Sequence, residues 1–228
     1  MLAAILCLSS SGFGFAGTSG AASTSATALL ASAIHDGEAA RGVHEVSVAK
    51  HAGETLKMVN DIGTNGGRQM IKLSDGSVGE VIAFDSQSRA YIKGNKVGLR
   101  NYFAFPESAA TKYSEKWMVA NPGDQAWDNI TGFTTLKSDF GNNLLILHPA
   151  LRAKLATING VDTYEITGTV AATANGPAAS VKLYVSDKGT VLPIRLTERA
   201  KGISATVNWS EWGESIALRA PPKYVPLP

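Results

Sequence analysis

The sequence predicts an α+β protein: a strongly curved antiparallel β-sheet, a half-barrel, with helices covering its concave face. Three observations predict it. From Val43 onward apolar and polar residues alternate with a period of two. Pairs suited to tight turns recur at short intervals: Asn65-Gly66, Asp75-Gly76, Asp85-Ser86, Asn159-Gly160, Asn175-Gly176 and Lys188-Gly189. Between the two alternating stretches, residues 96–155 lose the alternation and gather aromatic residues. Consecutive short hairpins lay strands side by side, and no separate run of strands supplies a sandwich partner. A twisted sheet then buries one face by curling round the helices.

The elements follow in order. Residues 1–16 (MLAAILCLSSSGFGFA) form an apolar run of signal-peptide length with small residues, Gly14 and Ala16, where a signal peptidase reads. The run opens without the Lys or Arg such a signal carries, so either the chain starts further upstream or the segment has another role; export is the expectation. Lipoprotein processing at Cys7 is the competing reading, with Leu6 standing where a lipobox needs a small residue. Residues 17–27 are Gly, Ser, Thr and Ala, too poor in apolar surface to pack, and read as a tether. Residues 28–41 place Leu29, Leu30, Ala33 and Ile34 at helical spacing, with Thr27 as N-cap and Gly42 as stop.

Strands are expected at 43–49, 54–63, 67–73, 79–84 and 89–93, with Gly94-Asn95 closing the last. The middle segment predicts helices at 100–104, 107–117 and 129–140, bounded by Pro106 and Pro122. Residues 143–155 read equally as helix or strand. Strands resume at 156–158, 161–171, 179–186, 191–199 and 203–212. The single domain spans 28–222, and the Pro-rich tail, 223–228, is expected to be extended and unpaired.

Composition bounds the chemistry. The 228 residues are 44% hydrophobic and 18% charged with a net charge of +2, and the charges are scattered, so no basic footprint for nucleic acid exists. The only cysteine, Cys7, lies in the leading segment, which excludes disulfide scaffolds and thiolate metal sites from the fold. His35, His44, His51 and His148 have no metal-ligand spacing. No nucleophile elbow, dinucleotide fingerprint or phosphate loop occurs. The acid pairs Glu211 with Glu214 and Asp124 with Asp128 read as solvated positions. No cofactor and no enzymatic activity are expected.

Five stretches carry a family resemblance. They are Ala90-Tyr91-Ile92-Lys93-Gly94, Glu115-Lys116-Trp117, the run 158–164 (INGVDTY), the run 183–195 (LYVSDKGTVLPIR) and the run 207–213 (VNWSEWG). Their order resembles the LolA/LolB-like lipoprotein-carrier fold, and more closely the actinobacterial envelope lipoproteins of the LppX and LprG type, over residues 43–222. The resemblance implies a half-barrel with an apolar cavity that accepts acyl chains of lipids or lipidated proteins in the cell envelope or periplasm.

On that basis Phe103, Phe105, Tyr113, Trp117 and Trp127 are candidates to line the cavity, the other reading being that they fill the core. Lys93, Lys96 and Arg100, clustered at the entry to the insert, are candidates to meet an acidic head group at a membrane surface; the other reading is charge protection of a sheet edge. The function expected is binding or transport of a lipid, glycolipid or lipoprotein acyl chain. The alternative is an envelope regulatory module that docks a protein partner on the same sheet.

Overall fold

The computed structural model describes residues 25–84, 88–124, 127, 134–144, 151–170 and 177–227. The expected signal segment with Cys7, most of the expected tether, and the expected turns at Asp85-Ser86 and Asn175-Gly176 lie outside the described residues.

Helix α1 (Ala26–Ala39) leads into a first meander, β1 (Gly42–His51), β2 (Glu54–Gly63), β3 (Gly66–Leu73), β4 (Val78–Phe84) and β5 (Arg89–Gly94). The insert contributes α2 (Lys96–Asn101), α3 (Glu107–Tyr113), the short strand β6 (Met118–Ala120) and α4 (Leu136–Asn143). A second meander follows: β7 (Arg152–Ile158), β8 (Val161–Val170), β9 (Ala179–Ser186), β10 (Pro193–Ala200) and β11 (Ile203–Ser210), before the terminal strand β12 (Val225–Pro226). All join one twelve-stranded sheet in the order β12-β6-β5-β4-β3-β2-β1-β11-β10-β9-β8-β7. Every pair is antiparallel except β12 with β6. The outermost strands, β12 and β7, are not paired to each other, so the barrel is open as predicted.

The two meanders are welded at β1 and β11, which pair from His44 opposite Ser210 to His51 opposite Ile203. On the covered face the inward residues of β2, Leu56, Met58, Asn60 and Ile62, are all buried, while Lys57 is exposed. Helices α1 and α4 pack on one end of this face and α2 with α3 on the other. A side chain at Gly37 would meet the Phe140 ring at 3.1 Å, which is how α1 and α4 come close.

Several expectations are corrected. Helix α1 starts earlier because Ser25, not Thr27, caps it, its hydroxyl accepting from the Ala28 N–H. Asn95 is not a turn residue but the N-cap of α2: its amide oxygen accepts from Gly98 and Val78 N–H groups while its NH2 donates to the Gly76 carbonyl. Helix α2 therefore begins at Lys96 rather than Arg100. Helix α3 stops at Tyr113, short of Trp117, because Glu115 takes φ of 60° and its N–H binds the Gly94 carbonyl, which turns the chain back along β5. The following β6 is three residues long, too short to show a period.

The expected helix at 129–140 begins at Leu136 within the described residues, after the Thr135–Ser138 capping box; 129–133 fall outside them. Strand β7 starts at Arg152, and because it is an edge strand with little burial it shows no inward and outward contrast in sequence.

The tail is extended but paired. Val225 and Leu227 N–H groups donate to the Trp117 and Val119 carbonyls, and Pro226, with no N–H, occupies the intervening position. Upstream of it Ile216 lies against Gly42 and Gly63, and Leu218 against Gly66, on the outer face of the sheet. A strap thus crosses the ends of β1 to β3 before Tyr224 stacks edge-on against Tyr91, with ring centroids 5.0 Å apart.

Candidate functional site

The covered face holds two separate apolar clusters. One gathers Leu56, Met58, Ile71, Val81, Ile92, Leu99 and Met118 under α2 and α3. The other gathers Val43, Ile62, Leu136, Phe140, Ile166, Leu183 and Trp209 under α1 and α4.

Between them runs a polar row. Trp209, Glu45, Asn60 and Gln69 stand opposite one another on β11, β1, β2 and β3, so the row crosses four adjacent strands. Each is at most 6% exposed, and Ser47, one inward position further along β1, is 3% exposed. Glu45 accepts from the Trp209 indole N–H at 2.9 Å and from the Asn60 amide at 2.7 Å. Asp139 of α4 faces the same carboxyl. Burial, and then the neighbouring Asp139, push the Glu45 carboxyl well above its usual range, since neither neutral donor supplies a positive charge. The Ser47 hydroxyl and the Asn60 amide oxygen are buried without a hydrogen-bond partner.

Of the residues singled out from the sequence, Phe103, Phe105, Tyr113 and Trp127 are brought together around the first cluster. Phe105 is buried and the other three are partly buried. Gly79 lets Phe103 seat directly on β4: a Cβ there would stand 2.8 Å from the ring. Trp117 stands apart, half-buried beside β6, with its carbonyl engaged by Val225.

The three cations already hold carboxylates. Lys96 and Arg100 both pair with Glu107, at 2.5 and 3.3 Å, and Lys93 with Glu115 at 3.5 Å. The Lys96 hydrogen bond, with Arg100 behind it, holds the Glu107 carboxyl below its usual range.

The polar row was not singled out from the sequence. Its only signal there is a polar residue at one inward position on each of three successive strands, which becomes a row only once register is known.

On the outer face His44 Nδ1 lies 2.7 Å from Asp61 Oδ1, in a cleft of about 290 Å³ also lined by Arg68, Glu211, Glu214 and Ser215. Serine hydrolysis needs the hydroxyl bonded to the imidazole, and no Ser215–His44 bond forms among the described residues. A second cleft, of about 500 Å³, lies at the turns joining β1 to β2 and β10 to β11. Neither cleft opens into the apolar clusters. Among the described residues no helix is long and apolar enough to cross a membrane.

No protein-family model matches the chain, and no curated protein matches it. Among solved structures, Mycobacterium tuberculosis lipoprotein LppX is similar with a TM-score of 0.54 at 15% identity, over 85% of this chain and 99% of that one. LprF from Mycobacterium bovis is similar with a TM-score of 0.55 at 13% identity, over 86% and 96% of the two chains. At such low identity the likeness speaks for the fold, and the open sheet, its helical cover and these neighbours agree: the chain has the LolA-like lipoprotein-carrier fold.

Proposed function

We propose that the protein is an exported, non-enzymatic carrier of the cell envelope that binds a lipid, glycolipid or lipoprotein acyl chain between the sheet and its helical cover. The observation that carries the reading is the covered face itself. It is apolar at both ends of its strands and closed by short helices, not by a second sheet, in a fold shared with a lipoprotein. The mechanism is partition: an acyl chain leaves a membrane for an apolar site, with about 0.8 kcal/mol for each buried methylene.

Phe103, Phe105, Tyr113 and Trp127 form the wall that an acyl chain would meet on the α2–α3 side. This part of the cover is lightly tied, since α2 and α3 have six and seven residues and α3 has no side-chain cap. An acidic head group at Lys93, Lys96 and Arg100 would have to displace Glu115 and Glu107.

One observation favours a docking module instead. Leu99, Phe105, Ala110 and Met118 already fill the first cluster with the chain's own side chains. Native mass spectrometry of detergent-free protein separates the two readings. Bound species of lipid mass, lost on organic extraction, are expected; a clean apoprotein that also takes up no fluorescent acyl probe would overturn the carrier reading and leave the docking module.

A further inference from the structure

We infer that the polar row on the covered face is a recognition site for a neutral hydroxyl group placed between two apolar arms of a lipid. The inference rests on the carrier reading and names its ligand class. It begins from a sequence of surfaces. Along β1 the inward residues run Val43, Glu45, Ser47, Ala49; along β2 they run Ile62, Asn60, Met58, Leu56. The first residue of each set belongs to one apolar cluster and the last to the other, so each strand reads apolar, polar, apolar. A chain lying along these strands from one cluster to the other passes over the row at its middle.

The unsatisfied atoms define what the middle of the ligand carries. Both Glu45 oxygens already accept, from Trp209 and Asn60. On β1 and β2 what remains is the Asn60 amide oxygen, which accepts, and the Ser47 hydroxyl, which donates or accepts. Asn60 and Ser47 sit diagonally on neighbouring strands of one face, close enough for a single small group to face both. A hydroxyl matches this pair, donating to the amide and exchanging a bond with Ser47. A phosphate or carboxylate does not: no Lys or Arg occupies an inward position on β1, β2, β3 or β11, and two carboxyls, Glu45 and Asp139, stand beside the site. An anion buried there would have no compensating cation.

The test uses two diesters with the same acyl chains. One is a glycerol diester with its free hydroxyl on the central carbon; the other is the propanediol diester that lacks that hydroxyl. Both are offered in equal amounts to the whole protein, and bound masses are read by native mass spectrometry. The wild type is expected to prefer the hydroxyl-bearing diester by about tenfold or more, because the analogue leaves buried polar atoms unmatched. Ser47→Ala and Asn60→Leu should each reduce the preference to about threefold or less while total diester binding persists. Ser47→Ala removes only an unpartnered hydroxyl, so it keeps the test open if Asn60→Leu folds poorly. Equal binding of the two diesters by the wild type, or a preference unchanged in both variants, overturns the row as the site and leaves the carrier reading standing. Binding of neither diester overturns both.

Discussion

Glu45 and Glu165 stand on opposite faces of the same sheet, both more than nine-tenths buried, and their carboxyls shift in opposite directions. Glu45, on the covered face, has an indole, an amide and a second carboxyl for company. Glu165, on the outer face, accepts from the Tyr184 hydroxyl at 2.7 Å, with Lys154 at 3.3 Å and Lys182 at 3.6 Å. Tyr184 first, and then the two lysines, hold the Glu165 carboxyl below its usual range. Both carboxyls are hidden from water, but Glu45 lies deep under the helices, where desolvation dominates, and Glu165 lies just beneath side chains at the surface, where its hydrogen bond and the lysines dominate. Flexible lysine stems on the outer face bring a charge to the carboxylate while keeping their ammonium groups wet, and among the described residues no lysine or arginine pairs with Glu45 under the helices.

The largest effect expected in breaking this contrast is that of Glu45→Ala. It strips the buried Trp209 and Asn60 donors of their acceptor and should cost about 2–5 kcal/mol in urea unfolding. Next comes Glu45→Gln, which keeps the shape and one acceptor without a titrating group. A carboxyl whose folded pKa lies above its unfolded value lends full stability below the ordinary glutamate range and loses it as pH rises toward the folded pKa. The wild type should therefore weaken as pH rises above the ordinary glutamate range, and Glu45→Gln should flatten that decline in urea unfolding followed across pH. A parallel decline in both proteins would mean that another group is responsible.

Glu165 sharpens the contrast with the opposite sign. Its lowered pKa lends stability above the ordinary glutamate range, lost as pH falls through the folded value. Glu165→Gln should cost about 1 kcal/mol near neutrality and nothing once the wild-type carboxyl is protonated, as acid titration of unfolding would show. Smallest is Lys154→Ala, since the Lys154 side chain is 70% exposed and its charge is screened by water. A loss of about 0.5 kcal/mol or less, vanishing in high salt, is expected from denaturation at two ionic strengths.

Much of the architecture was legible because local chemistry repeats itself. Asn159 and Gly160 both take positive φ, 52° and 80°, as the pair predicts, and β7 and β8 pair from Ile158 opposite Val161. The insert was less legible, since its elements are short and their ends are set by distant partners: Gly94 stops α3 through Glu115, and Trp117 and Val119 turn the tail into a strand. Four of the five proposed wall residues do converge, because aromatic side chains of an insert have one broad apolar surface to cover. Trp117 does not, since the chain has by then returned to the sheet beside β5.

By itself the sequence determined the meanders, turns such as Asn159-Gly160 and the need for a cover, all consequences of alternation and of residues that accept tight-turn dihedrals. Which face each strand turns inward was decided only by the tertiary structure. In β1 the valines Val46 and Val48 lie half-buried on the outer face, while Glu45 and Ser47 point under the helices. Hydrophobicity alone would turn that strand the other way. Its register with both β2 and β11 holds it as found, because Val43 and Ala49 must reach the two apolar clusters and a shift by one residue would turn every side chain over.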